Sequence, residues 1–504
     1  MSLSASLSIA NSGLSAISQQ FAVISQNVSN ANSTNYTNEA AALQADGAGG
    51  VSMGVQSNAA KLTVNTEVQA QVFAQGAAVS YAETTASALS NIDGVMGTPG
   101  AGTDLPSLLA DVQSQFTALA ADPANQTQAQ AVVSAAQNLT GQINTISNAI
   151  GTARQNAQND LVGTVATVNG DLRQIGSLDQ QIVALQKEGQ STADLQNQRA
   201  TAEASLSGAI GANFVQQPDG SVLVFTASGV QLPADGSGPL SVANANVGAN
   251  AYYPGGGLPG VMLNGTDITG SLTSGEIGAD LKLRDDTLPT MQAGLDEFSQ
   301  NLASRFSAQG LTLFTDGNGN VPASGGTPVQ ANYVGFAGEI TVNSAVVAAP
   351  ALVRDGTNAV AGSTTGASAF TPNTGGEVGF TTLISRILTY ALGSDAQAGV
   401  AQPASNTTGL GASGTLSLSY GSQDSLAATA TVFASAEASE SSEAAANSTS
   451  ATALQTALQS TLSQSAGVNV DQQMSNMVAL QNAYAANAKV ISTVQSLYQV
   501  LEQM

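Results

Sequence analysis

The sequence predicts a mainly α protein with smaller β elements. It has a terminal α-helical coiled-coil pair, a long helical-bundle domain and an inserted, β-containing outer region. Three observations lead there. Both ends of the chain carry an apolar seam at the coiled-coil period, the tract 104–208 has a helical pattern, and Gly and Pro crowd the stretches 211–274 and 311–423.

The N-terminal seam is Leu3, Leu7, Ala10, Leu14, Ile17, Phe21, Ile24 and Val28, at alternating steps of four and three, with Asn, Ser and Gln between. The C-terminal seam is Met477, Leu480, Tyr484, Asn487, Ile491, Val494, Tyr498 and Leu501. Its one polar member, Asn487, is of the kind that sets register at some cost in stability. Such helices would run about 42 and 48 Å. Two seams of matched period suggest that the ends pair, with everything between them one long insertion. Their burial alone falls short of the conformational entropy of ordering both helices. The expectation is therefore termini that are loose in the free chain and order when neighbouring subunits cover them.

At 504 residues the chain can fill several domains. Its formal net charge is −23, yet only 9% of residues are charged, so the imbalance comes from having just 11 Lys and Arg. Such a surface argues against nucleic acid and anionic membrane surfaces as partners. With no Cys and no His, the chain has no disulfide, no thiolate or imidazole metal site, and no Cys or His catalysis. The first thirty residues lack the basic start and compact apolar core of a cleaved signal peptide. No apolar run reaches membrane-spanning length.

After the first helix, an Asn/Ser/Thr-rich break leads to Gly47, Gly49, Gly50 and Gly54, with 51–64 weakly alternating and extended. Residues 66–96 read as helix. Asp104 and Pro106 open the long helical tract, and Pro123 turns it between two helices. Leu161, Val165, Val168, Leu172 and Ile175 keep a seam that slips phase before Leu178. Gly189 closes that helix, and a further one covers 192–208. Pro218-Asp219-Gly220 is turn chemistry between two strand-like runs, 213–217 and 221–225. A helix follows at 276–309. Beyond it lie a strand near 335–342, a helix at 377–392 and a strand at 415–420. The Ala/Ser/Glu-rich stretch 424–466 is helical, or a linker in its 435–453 part.

Little of this carries chemistry. Asp316-Gly-Asn-Gly-Asn-Val begins like a calcium loop but lacks the sixth-position Gly and has Thr327 in place of the closing Glu, so it reads as a polar turn. Asp285 and Asp286 beside Arg284 read as a solvated helical segment rather than an acid/base pair. The glycine clusters lack the strand–helix setting of a nucleotide loop. No catalytic set, metal site or cofactor is expected.

The two ends together resemble the axial proteins of the bacterial flagellum. That family carries S-N-x-N-T-x-G-Y-x-R after its first helix. Here Ser29-Asn30-Ala31-Asn32-Ser33-Thr34-Asn35-Tyr36-Thr37-Asn38 fits with three departures, Ser33, Asn35 and Asn38. Asn35 is suited to a left-handed turn in the glycine's place, while the missing Arg at Asn38 puts the packing of the turn in question. The C-terminal match is Gly467-Val-Asn-Val-Asp471, then Gln481-Asn-Ala-Tyr484-Ala-Ala-Asn487-Ala-Lys489-Val-Ile491. Asp194-Leu-Gln-Asn-Gln-Arg199, Asp219 to Gly229, and Ser274-Gly-Glu-Ile-Gly278 through Asp285 resemble the hook-associated members at the hook–filament junction. The likeness covers 1–310 and 440–504.

The resemblance implies a structural role without catalysis. It implies export by the flagellar type III pathway without cleavage, and an extracellular place between hook and filament. Implied partners are the hook protein, the next junction protein, further copies of the chain in a ring, and an export chaperone on the C-terminal seam. Asn30, Asn32, Asn35 and Tyr36 are its axial-family turn, and the two seams its assembly surfaces. The expected units are 1–45 with 466–504, 46–210 with 275–310 and 424–465, 211–274, and 311–423. Another hook or rod protein remains an alternative, though it would lack the tract 104–208. A secreted surface-binding protein acting through 311–423 is another, and an enzyme inserted there ranks last.

Overall fold

A computed structural model describes residues 3–33, 36–48 and 51–503. Helix α1 (Leu3–Asn30) leads into an antiparallel hairpin, β1 (Glu39–Ala48) and β2 (Val51–Leu62), which crosses the expected boundary at 45/46. Helices α2 (Thr66–Met96), α3 (Leu105–Ala121), α4 (Gln126–Lys187) and α5 (Ala193–Ile210) follow. The starts of α2, α3 and α4 are set by side chains that accept a free backbone N–H. Asn65 takes that of Val68, Asp104 that of Ser107, and Asn125 that of Gln128.

Helix α4, at 62 residues about 93 Å long, is the spine. One apolar core lies along its first half, where Val132, Leu139, Ile146 and Ile150 meet α3 and a later helix, α7 (Leu288–Ala308). A second core lies along the next stretch, where Leu161, Val168 and Ile175 meet α5, the β element and α6 (Gly275–Lys282). The β element is two small antiparallel sheets, residues 213–216, 222–225 and 231–232, and residues 240–241, 262–263 and 266–267. Pro218-Asp219-Gly220 turns the first of them, with Gly220 at φ 91°.

This β element lies so close to α4 that a Cβ on buried Gly176 would overlap the Ala234 carbonyl. Gly176→Ala therefore forces backbone apart. Although Ala is the better helix former, we expect a loss of about 2 kcal/mol, read by denaturant unfolding.

The expected helix 276–309 is interrupted. Between α6 and α7 the chain makes a wider, π-helical turn, Leu283–Thr287. The apolar residues of 311–423, among them Leu313, Phe314, Phe336, Val353 and Ile387, join the first core on α4. The expected strand at 335–342 is a helical turn, Phe336–Glu339, before a two-residue strand. The cause is a side chain distant in sequence: buried Asp296 accepts the N–H groups of Gly335 and Ala337, which would otherwise serve a strand. The segment 377–392 shortens to Thr382–Arg386 and a π turn, Ile387–Ala391. Residues 435–453 lie within one continuous helix, α8 (Leu426–Ala466), which runs back along α2 with Val72 against Leu462 and Ala466. Helix α9 (Val470–Glu502) closes the described chain.

Candidate assembly interface: the terminal helices and their clamp

Helices α1 and α9 pack as an antiparallel pair. A Cβ on Gly13 would sit 3.4 Å from the Asn487 amide, while Asn38, just past α1, bonds to Gln473 near the start of α9. Of the N-terminal seam, Ile17 and Ile24 are buried, and Leu3, Leu7, Leu14, Phe21 and Val28 half-buried. On α9, Val494 is buried, and Met477, Leu480, Asn487 and Ile491 are half-buried. Tyr484, Tyr498 and Leu501 depart from the expected seam and are exposed, Leu501 at 57%. With Asn487 opposite Gly13, Tyr498 and Leu501 fall past Leu3, the first described residue of α1, whereas Tyr484 lies alongside the middle of that helix. Val478, Val490, Leu497 and Val500 are exposed as well, so α9 presents more apolar surface than α1 covers. Ser12 Oγ, on α1, accepts the N–H of Val55 and ties the hairpin to the pair.

The family turn is held by two asparagines. Asn27 is fully buried; its Nδ2 donates to the Glu39 carbonyl at 2.8 Å, and its Oδ1 accepts the Glu39 N–H at 2.9 Å and the Tyr36 hydroxyl at 3.2 Å. Asn197, on α5, grips Thr37 in the same way. Its Oδ1 accepts the Thr37 N–H and hydroxyl, and its Nδ2 donates to the Thr37 carbonyl. Asn30 Nδ2 donates to the Gln26 carbonyl, Asn32 is exposed, and Asn35 lies outside the described residues. Burial, then the neighbouring Asp194, pushes the Glu39 carboxyl up; burial, then Glu39, does the same to the Tyr36 phenol. Asn38, the departure from the family's Arg, sends its N–H to the Ala466 carbonyl and accepts from Gln473. The turn is thus hydrogen-bonded to α1, α5 and the start of α9 together.

Further along α4 the remaining motifs meet. Arg199 pairs with Asp179 at 2.6 Å and Glu203 at 3.1 Å, and donates to the Gly220 carbonyl at 2.7 Å. The two stretches beginning at Asp194 and Asp219 are thereby one buried cluster. Arg284 is the largest fully buried side chain. It forms a two-pronged pair with Asp285 at 2.7 and 2.8 Å, and donates to Gln158 and to the Pro259 carbonyl. The reading of Arg284 and Asp285 as solvated is corrected. In the wider turn the guanidinium reaches its neighbour, and α4 and the β element enclose Arg284 fully and Asp285 in part. Arg154 donates to the Arg284 and Ala251 carbonyls. Asp316 does form a polar turn, accepting the N–H groups of Asn318 and Asn320. No three described His, Cys, Asp or Glu residues are placed to hold a metal ion.

Asn27, Asn197, Gln158 and Arg154 are the interface and core residues that sequence reasoning missed. Asn27 had one readable signal, as a polar residue beside the seam position Val28. Asn197 stood within a family motif, but nothing local said what it would grip.

Two buried carboxylates respond to pH. Glu437 Oε2 and Asp280 Oδ2 have no hydrogen-bond partner, and burial, reinforced by neighbouring carboxylates, pushes each up to about 8. The folded state thus holds protons that the unfolded chain releases in the ordinary carboxylate range. This stability is fully present below about pH 4 and is lost as pH rises through 8. We expect a melting temperature several degrees higher at pH 5.5 than at pH 8.5, with the difference narrowed in Glu437→Gln.

Terminal helices paired with each other and clamped to a long helical domain are the arrangement expected of a structural axial protein of the bacterial flagellum. Residues 89–321 match the flagellar hook-associated protein FlgK helical domain, and residues 458–504 match the flagellar basal body rod FlgEFG protein C-terminal domain. The two matches together support a flagellar hook-associated structural protein. Among solved structures, the flagellar hook junction protein FlgK from Burkholderia pseudomallei is similar at 24% identity and a TM-score of 0.41. That likeness covers 50% of this chain and 46% of the other. No curated protein matches the chain significantly. No described helix is long and apolar enough to cross a membrane.

Proposed function

We propose that the chain self-assembles through its terminal helices into the junction between hook and filament, after leaving the cell uncleaved by the flagellar type III pathway. The observation that carries this reading is the α1–α9 pair: uncharged over residues 3–30, apolar beyond what α1 covers, and hydrogen-bonded to the helical domain. A surface of that kind suits repeated contact with copies of itself, with hook protein below and with the next junction protein above. Until assembly the apolar side of α9 needs a cover, a role that fits an export chaperone. The outer region 311–423 takes no part in this contact.

Purified chain added to isolated hooks should cap their distal ends, as seen by electron microscopy. A variant lacking residues 467–504 should keep its α4 cores and lose the binding; retained capping by that variant would remove the terminal helices from the account. Hydrogen exchange on the free chain should be faster in 3–33 and 470–502 than in 126–187, because the pair opens locally while its clamped form remains the major state. Slow exchange at both ends would mean that the pair needs no neighbour to stand.

A further inference from the structure

A groove between α2, α4 and α6 gathers carboxylates from all three and has no Lys or Arg in its lining. Glu83, Asp160, Glu276 and Asp280 line this open groove of about 430 Å³. Asp280 stands out among them. It is 1% exposed, yet its Oδ2 meets no donor. Leaving such an oxygen buried and unpaired is costly, and like charges nearby add to the cost. Arg284, the cation that acts on it, already sends its donors to Asp285, Gln158 and Pro259. A metal ion is a poor match, because no three of the described carboxylates converge on one point. Carboxylates spread along a groove suit a cation that carries several N–H donors on an extended frame, and each such bond is charge-assisted.

We infer that this groove binds an organic cation of the alkylammonium or guanidinium class, with one N–H directed to Asp280 Oδ2. The cation takes the place of the proton that Asp280 otherwise keeps near neutral pH, so binding displaces that proton from the carboxyl to solvent. Two sources have this chemistry: a free polyamine, or an exposed Lys or Arg of a second copy.

The test uses the full chain at neutral pH, titrated with putrescine and with argininamide, against NaCl and MgCl2 at matched ionic strength. Calorimetry in two buffers of different ionisation enthalpy should show saturable binding with proton release, and the melting temperature should rise by several degrees. Asp280→Asn should weaken the binding at least tenfold and abolish the proton release. Asp160→Asn, at the open edge of the groove, should weaken it less and serves if the first variant does not fold. If putrescine also dissociates self-associated chain, the natural cation is a side chain of a second copy; if it leaves association unchanged, it is a free ion. No saturable binding, an equal response to Mg2+, or undiminished affinity in both variants would overturn the site and leave Asp280 as a carboxyl that simply keeps its proton.

Discussion

Replacing Arg284 with Met is expected to lower the stability of the helical domain by about 3–5 kcal/mol, with Lys in its place recovering little of the loss. The position explains the size. The apolar core on the first half of α4 ends near Ala157, and the next begins at Leu161. Arg284, Gln158 and Arg154 fill the gap between them, all at most 4% exposed. Without the guanidinium, the Asp285 carboxylate is left beside Arg154 alone, the Gln158 carbonyl oxygen loses its donor, and so does the Pro259 carbonyl. Lys restores the charge, but its compact ammonium lacks the fork that meets both carboxylate oxygens. If the orphaned charge sets the cost, Arg284→Met combined with Asp285→Leu should be more stable than Arg284→Met alone. Denaturant unfolding measures the loss. Calorimetry adds a sharper reading, because weakening the joint should split one transition into two as the cores part. An unchanged single transition would show that the cores are joined by their shared helix and not by this polar node.

What could be read in the sequence, and what could not, divides by range. The terminal seams, the Asp104 cap with Pro106, the Pro123 break, and the Pro218-Asp219-Gly220 turn are each specified by residues within a few positions of one another. The cap, the break and the turn are in the structure, as are the helices that carry the seams, although Tyr484, Tyr498 and Leu501 of the C-terminal seam are exposed. The misplaced elements depend on distant donors and acceptors. Phe336–Glu339 is helical because Asp296 takes the local N–H groups. Arg284 is buried and Asp285 half-buried because α4 and the β element close over them. Tyr484, Tyr498 and Leu501 obey the seam's period yet stay exposed, because period fixes a face and not what covers it. The hairpin 39–62 was half legible: its second strand alternates, but the Ala-rich first strand is set by its pairing, Glu39 with Leu62 through Asp46 with Gly54.

The same reasoning gives the second large effect, at the clamp. Asn197→Ala leaves the Thr37 N–H and carbonyl unpaired, and Asn27→Ala does so for Glu39, at about 1–3 kcal/mol for each buried group orphaned. Both amides act on one three-residue turn, so losing either should loosen what the other holds, and the double variant should cost less than the sum of the two singles. Neither residue lies in the apolar cores on α4, so the main unfolding transition should stay where it is. The change should appear instead as freedom of the α1–α9 pair relative to α4. The chain has no cysteine, so Ser18→Cys on α1 and Ser177→Cys on α4, both exposed, can carry spin labels without background. A single narrow distance distribution is expected in the parent and a broad one in Asn197→Ala, with hook capping reduced in proportion. A distribution that stays narrow would mean that the remaining contacts to the helical domain, Gln26 with Asp194 and Ser191 with the Ala60 carbonyl, hold the pair in place. A broad distribution with full capping would separate orientation from assembly, since neighbouring subunits would then impose the geometry that the clamp sets in the free chain.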